Sequence, residues 1–145
     1  MLSHTAPRRA RWLTVARFVL TLLAAAGLAI DAYVHLDLAG NYAPIRTSTL
    51  SQAELFRAEA VVSILAGLLI LLRPRRYSAA IGALVAGSAL LVLLLYRYYD
   101  IGQLGPIPDM YEPVWFGEKT FAAIAESAAF AASVPLALLG RTLWK

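Results

Sequence analysis

The chain has 145 residues, of which 60% are hydrophobic and only 15% charged, with a formal net charge of +4 and no cysteine. Soluble domains run nearer ~45–50% apolar and ~25% charged, so a disordered chain, a basic nucleic-acid-binding domain and a charged coiled coil are excluded. The missing thiols exclude disulfides, thiolate metal centres and cysteine nucleophiles, and what remains is an all-α integral membrane protein, a single domain over residues 1–145.

A bilayer's hydrocarbon core is about 30 Å thick, so a spanning helix needs roughly 20 mostly apolar residues. Four stretches meet that need. The first is Trp12 to Leu36, which carries Arg17 and Asp31. Its basic lead (Arg8, Arg9, Arg11), apolar Phe18–Ile30 and Gly27-Leu28-Ala29 also have the layout of a signal peptide; a spanning helix is the reading adopted. A loop over residues 37–51 follows, with Gly40, Asn41, Pro44 and the run Thr47-Ser48-Thr49. Ser51-Gln52-Ala53-Glu54 reads as a capping box, and Glu54 and Arg57 have the spacing to pair. The second span, Gln52 to Leu72, carries Arg57 and Glu59 and has small residues at Ser63 and Gly67. Beyond the turn Arg73-Pro74-Arg75-Arg76, the third span runs Tyr77 to Tyr99. It holds the longest apolar run, Ser78 to Tyr96, and a small-residue row at Ala79, Ala83 and Gly87 suited to close packing. The loop over residues 100–116 contains Gly102, Gly105, Pro106, Pro108 and Pro113, which forbid a regular helix. Its Met110, Tyr111, Trp115 and Phe116 suit a lid or an interfacial anchor. The fourth span, Gly117 to Leu139, carries Glu126, and its Pro135 is expected to kink it or open its last turns. A soluble bundle would need a broad charged face on each helix; Val61–Leu72 and Ser78–Leu95 have none.

Charge placement sets the expected orientation. Arg8, Arg9, Arg11, Arg17, Arg73, Arg75, Arg76, Arg141 and Lys145 fall on one side, nine of the thirteen basic residues. The positive-inside rule puts that side, with both termini, in the cytoplasm, and the protein in the plasma (cytoplasmic) membrane as a multi-pass bundle. All nine acids fall on the other half. Trp12 and Trp144 then lie at the inner interface and Trp115 at the outer one. The basic excess meets anionic lipid, not nucleic acid.

Counting along the helices at about 1.5 Å per residue brings three acids to one depth. Asp31 lies roughly 21 Å from Arg17, Glu59 roughly 21 Å from Arg73, and Glu126 roughly 22 Å from Arg141. His35 shares a face with Asp31 one turn on, and Arg97 is expected at the mouth. Arg57 and Glu59 are about 200° apart on their helix, so both cannot face the bundle centre. Ionised groups at membrane depth are expensive and turn toward partners inside the bundle. Asp31, His35, Glu59, Arg97 and Glu126 are therefore the candidate ligand-binding residues. No organic cofactor is expected. A divalent metal of the Mn, Fe or Zn class would take His35, Glu59 and Glu126, although the paired Glu-x-x-His repeats of di-iron bundles are missing. Haem is disfavoured, because only His35 could serve as a histidine ligand within a span. No catalytic residue is assigned; an enzyme would need His35 as base beside Tyr96, Tyr98 or Tyr99. Ser63, Ser88, Ser127 and Ser133 are expected to bond back to their own helix backbone.

The Ala/Gly/Leu/Arg-rich style and the Tyr33-Val34-His35-Leu36 end of the first span resemble small four-helix membrane proteins of actinobacteria. Size and layout are similar to the DoxX-like group, some of whose members are associated with oxidoreductase complexes. That resemblance covers the layout and transfers no site residue. Two functions follow. One is an outward-facing acidic pocket that binds or transports a small cationic, protonatable or lipid-headgroup-like ligand, as a homodimer. The other is an accessory subunit of a larger membrane complex, whose polar layer holds the helices in register.

Overall fold

A computed structural model of the chain describes residues 6–139. Four helices follow one another: α1 (Ala6–Ala39), α2 (Gln52–Leu72), α3 (Arg76–Tyr98) and α4 (Gly117–Leu138), with a single 3₁₀ turn (Gly40–Tyr42) after α1. All four are long and apolar enough to cross a membrane. The chain is thus a multi-pass helical protein. The first helix is longer than expected at both ends, because no proline or glycine lies between Leu36 and Gly40 and its Ala- and Arg-rich start favours helix. Arg141, Trp144 and Lys145 lie outside the described residues.

The capping box at the start of α2 is present. The Ser51 backbone N–H donates to Glu54 Oε2 (2.7 Å) and the Glu54 N–H to Ser51 Oγ (3.2 Å). Glu54 thereby faces Ser51 rather than forming the expected pair with Arg57. Helix α4 continues through Pro135 to Leu138 instead of opening there. Its end is held from α3, where Arg76 Nε donates to the Ala137 carbonyl (3.1 Å), a cation at a helix C-terminus.

Around the bundle, α1 packs on α2 and α4, and α3 packs on α4; α2 and α3 touch least of the neighbouring pairs, and α1 and α3 are diagonal. The interior is built from small residues. Ala24, Leu28, Ala66, Ile70, Ala86, Ala129 and Ala132 form the main core. Large apolar side chains such as Phe18, Leu72, Leu84, Leu91, Phe121 and Ile124 point outward. Lipid supplies no hydrophobic drive between helices, so close backbone approach holds such a bundle together. At Gly27 a β-carbon would stand 2.7 Å from the Ala125 carbonyl oxygen of α4. The buried row on α3 is Ser78, Gly82 and Ala86, one residue out of register with the expected Ala79, Ala83 and Gly87; Ala79 is buried beside that row.

The two long loops share one end of the bundle and are tied together. Thr47 Oγ1 donates to the Pro106 carbonyl (2.9 Å), Tyr42 Oη to Glu112 Oε2 (3.1 Å), and the Glu112 N–H to the Tyr96 carbonyl (3.1 Å). Lys119 Nζ at the head of α4 donates to the carbonyls of Glu112 (2.6 Å) and Val114 (3.2 Å). A tight turn, Leu104 to Ile107, is allowed by Gly105 at φ +57°. The basic residues of the Arg73–Arg76 turn and of the α1 start lie at the opposite end.

Candidate functional site

The expected layer of acids is one cluster. Asp31 and Glu126 are each 1% exposed. One ligating atom from each of Asp31, His35 and Glu126 lies within 4.8 Å of the others. Asp31 and His35 meet because they are one turn apart on α1, and α4 brings Glu126 in from the side. His35 Nδ1 stands 3.0 Å from Asp31 Oδ1. Nδ1 is aimed instead at the Asp31 backbone carbonyl, also at 3.0 Å, to which it donates in the tautomer with the proton on Nδ1, so Oδ1 gains an ion-pair contact without an aligned hydrogen bond. Among the described residues, Asp31 Oδ1 and both oxygens of Glu126 are buried with no hydrogen-bond donor.

Glu59 joins the cluster through Ser63. Ser63 is fully buried and its hydroxyl lies 2.8 Å from Asp31 Oδ2 and 3.0 Å from Glu59 Oε1. Ser63 therefore does not bond back to its helix as expected; Ser88 and Ser127 do, to Val85 and Ala123. Ser133 does neither, and its buried hydroxyl has no partner among the described residues.

Beside this cluster is a cavity of about 480 Å³, within the range of small-molecule sites. It occupies the gap where α2 and α3 part, and the second long loop roofs it with Leu104, Ile107, Met110 and Phe116. Val34, Leu38, Leu55, Val92 and Leu93 make the walls apolar. His35, Tyr42, Gln52, Glu59, Glu112 and Lys119 are its polar lining. Lys119 is anchored to loop carbonyls and Tyr42 to Glu112, which leaves His35, Gln52 and Glu59 facing the space. Gln52 Oε1 is buried and without a donor among the described residues. Phe56 packs edge-on against His35 (ring centroids 5.0 Å) and tilted against Tyr42 (5.1 Å).

Four of the five candidate residues are thus brought together and Arg97 is not. Its guanidinium lies over Tyr98 (4.8 Å) and Trp115 (5.4 Å), outside the residues that line the cavity. The neighbouring Tyr96 lines the cavity with His35, while Tyr98 and Tyr99 are exposed. Arg57 is exposed, as the opposite placement of Glu59 requires. Sequence reasoning missed Gln52, Phe56, Ser63 and Lys119. A signal existed for the first three: with Glu59 they form the stripe 52, 56, 59, 63, one helical face. Lys119 shares a face with Ala122 and Glu126 in the same way.

No family model, curated protein or solved structure matches the chain.

Proposed function

We propose that the protein binds a small amphipathic molecule with a cationic or protonatable head, its apolar part in the cavity and its head against Glu59. The observation that carries this reading is the cavity itself: apolar walls, a loop roof, and in the lining the half-buried carboxylate of Glu59, whose charge no cation within 4 Å balances among the described residues and which, unlike Glu112, is not tied to Tyr42. Gln52 and His35 add hydrogen-bonding groups beside it. The basic residues at the opposite end support an orientation with that end in the cytoplasm of a plasma membrane, so that the cavity opens outward. Binding alone needs one chain; transport by so few helices calls for a dimer.

The test uses the full chain in detergent, with a medium-chain alkylamine as probe and the alcohol and carboxylate of equal length as controls. The amine is expected to bind best. Glu59→Gln is expected to weaken it roughly 10–100-fold, the worth of a charge-assisted hydrogen bond, with thermal stability little changed. Equal binding of all three head groups, or an unchanged affinity in Glu59→Gln, overturns the reading. A second reading is an accessory subunit of a larger, DoxX-like membrane complex. The Ser63–Asp31 bond favours it, since it ties α2 to α1 as a purely structural network would. Lost stability in Glu59→Gln and Glu126→Gln without any ligand effect supports that alternative.

A further inference from the structure

The cavity leaves one part of this region unused. Asp31 and Glu126 lie outside the cavity lining, behind His35, and three of their carboxylate oxygens have no hydrogen-bond partner among the described residues. Glu126 has no partner for either oxygen among the described residues, and Asp31 Oδ1 has only the unaligned His35 contact; two buried carboxylates so thinly supported are costly in a low-dielectric interior. We infer that Asp31, His35 and Glu126 form a site for a single first-row divalent cation of the Mn²⁺, Fe²⁺ or Zn²⁺ class.

Three features support this assignment, none of which depends on the amphipathic ligand. The first is the donor set: two carboxylates and one imidazole suit borderline divalent ions better than the softer thiolate-preferring ones. A divalent ion also cancels the charge of both carboxylates.

The second is geometry. Ligands of such an ion stand about 2.0–2.2 Å from it, so pairs of ligand atoms are at most about 4.4 Å apart. The three atoms here are within 4.8 Å, and small side-chain rotations close the difference. As placed, His35 Nδ1 is aimed at the Asp31 backbone carbonyl, so ligation through Nδ1 needs the ring proton on Nε2 and a turn of the ring that brings its lone pair off that carbonyl toward Asp31 Oδ1.

The third is support. Ser63 holds Asp31 by Oδ2 (2.8 Å) and leaves Oδ1 open, the way ligating carboxylates are oriented in metal sites. Glu59 stands one hydroxyl away from the cluster and outside the ligand set. His35 belongs to both the cluster and the cavity wall, so an ion reaches the site from the cavity side. Three ligating atoms within 4.8 Å of one another suit a single ion.

The experiment uses the full chain purified in detergent, stripped with a chelator and titrated with Mn²⁺, Zn²⁺ or Co²⁺. Metal content after desalting and the visible absorption of the Co²⁺ form are read. Wild type is expected to retain one ion per chain and to give a Co²⁺ ligand-field band. Ser63→Ala is expected to bind roughly 10–100-fold more weakly, the usual effect of removing a group that orients a ligand. Asp31→Asn and Glu126→Gln are expected to lose more than that, and Glu59→Gln least. Helical circular dichroism and gel filtration report folding. Should the ligand variants fail to fold, wild type, Ser63→Ala and Glu59→Gln still decide the matter. A desalted wild type carrying no ion above buffer, or equal affinity in wild type, Ser63→Ala and Glu59→Gln, overturns the assignment and leaves protons alone in the cluster.

Discussion

Ser63 has one hydroxyl hydrogen and touches two carboxylates, Asp31 Oδ2 and Glu59 Oε1. It can donate to one of them; the other contact is a hydrogen bond only when a carboxyl carries a proton. Removing this hydroxyl leaves a buried carboxylate oxygen without its donor, which costs about 1–3 kcal/mol. Ser133 is equally buried, yet its hydroxyl has no partner among the described residues. The same change at the two sites is therefore expected to diverge: Ser63→Ala lowers the melting temperature in detergent, and Ser133→Ala leaves it unchanged or raises it. Equal losses would contradict this account of Ser63. The acids were legible from depth along each helix because a helix's rise is constant and charges at that depth must turn inward. The bridging hydroxyl was not, since a serine in a helix has a nearer acceptor in its own backbone. Arg97 does not join the acids: its guanidinium lies over the Tyr98 and Trp115 rings, a reach that position along the helix does not fix.

The helices meet through their smallest residues, and the partner atom decides what each tolerates. A β-carbon at Gly27 would lie 2.7 Å from a carbonyl oxygen and 2.9 Å from the Ala129 β-carbon, both on α4. Backbone cannot give way without moving the helix. At Gly87 a β-carbon would meet only the Phe130 ring, at 2.9 Å, and Phe130 lies on the exposed side of α4, free to swing. Gly27→Ala is expected to cost about 1–3 kcal/mol by overpacking, and Gly87→Ala clearly less, as read from thermal melts of the two variants. The one-residue error in the α3 row has the same origin. Residues 78, 82 and 86 and residues 79, 83 and 87 are both runs of small side chains at four-residue spacing, so spacing alone leaves the face open. Ile70 and Ser133 select it, because both crowd Gly82. The bounds of α2, α3 and α4 were readable to within a residue from apolar length, whereas α1 begins six residues before its apolar stretch. The roof was only half readable: proline and glycine excluded a helix, but the bonds that fix it join residues as remote as Tyr42 and Glu112, and nothing local encodes them.

At the scale of the whole molecule the pattern of a water-soluble domain is inverted. Alanine, glycine and serine fill the interior while leucine, phenylalanine and tryptophan cover the outside. In water such a surface would be a single large aggregation-prone patch; against hydrocarbon it carries no penalty, and the buried polar atoms become the expensive ones. That inversion is why the acids, the hydroxyl bridge and the cavity collect in one place near the looped end, inside the bundle and away from lipid. The distribution of charge makes the side testable. The chain has no cysteine, so single cysteines report without background. Thr49→Cys and Asp109→Cys sit on exposed loop residues at the cavity end, and Pro74→Cys on the exposed turn at the other; none removes a basic residue. With the basic end inside, a membrane-impermeant maleimide is expected to label the first two in intact cells and Pro74→Cys only after permeabilisation. The reverse pattern would turn the cavity toward the cytoplasm and make any ligand or ion it takes an intracellular one, while leaving the chemistry of Glu59 and of the Asp31–His35–Glu126 cluster as it stands.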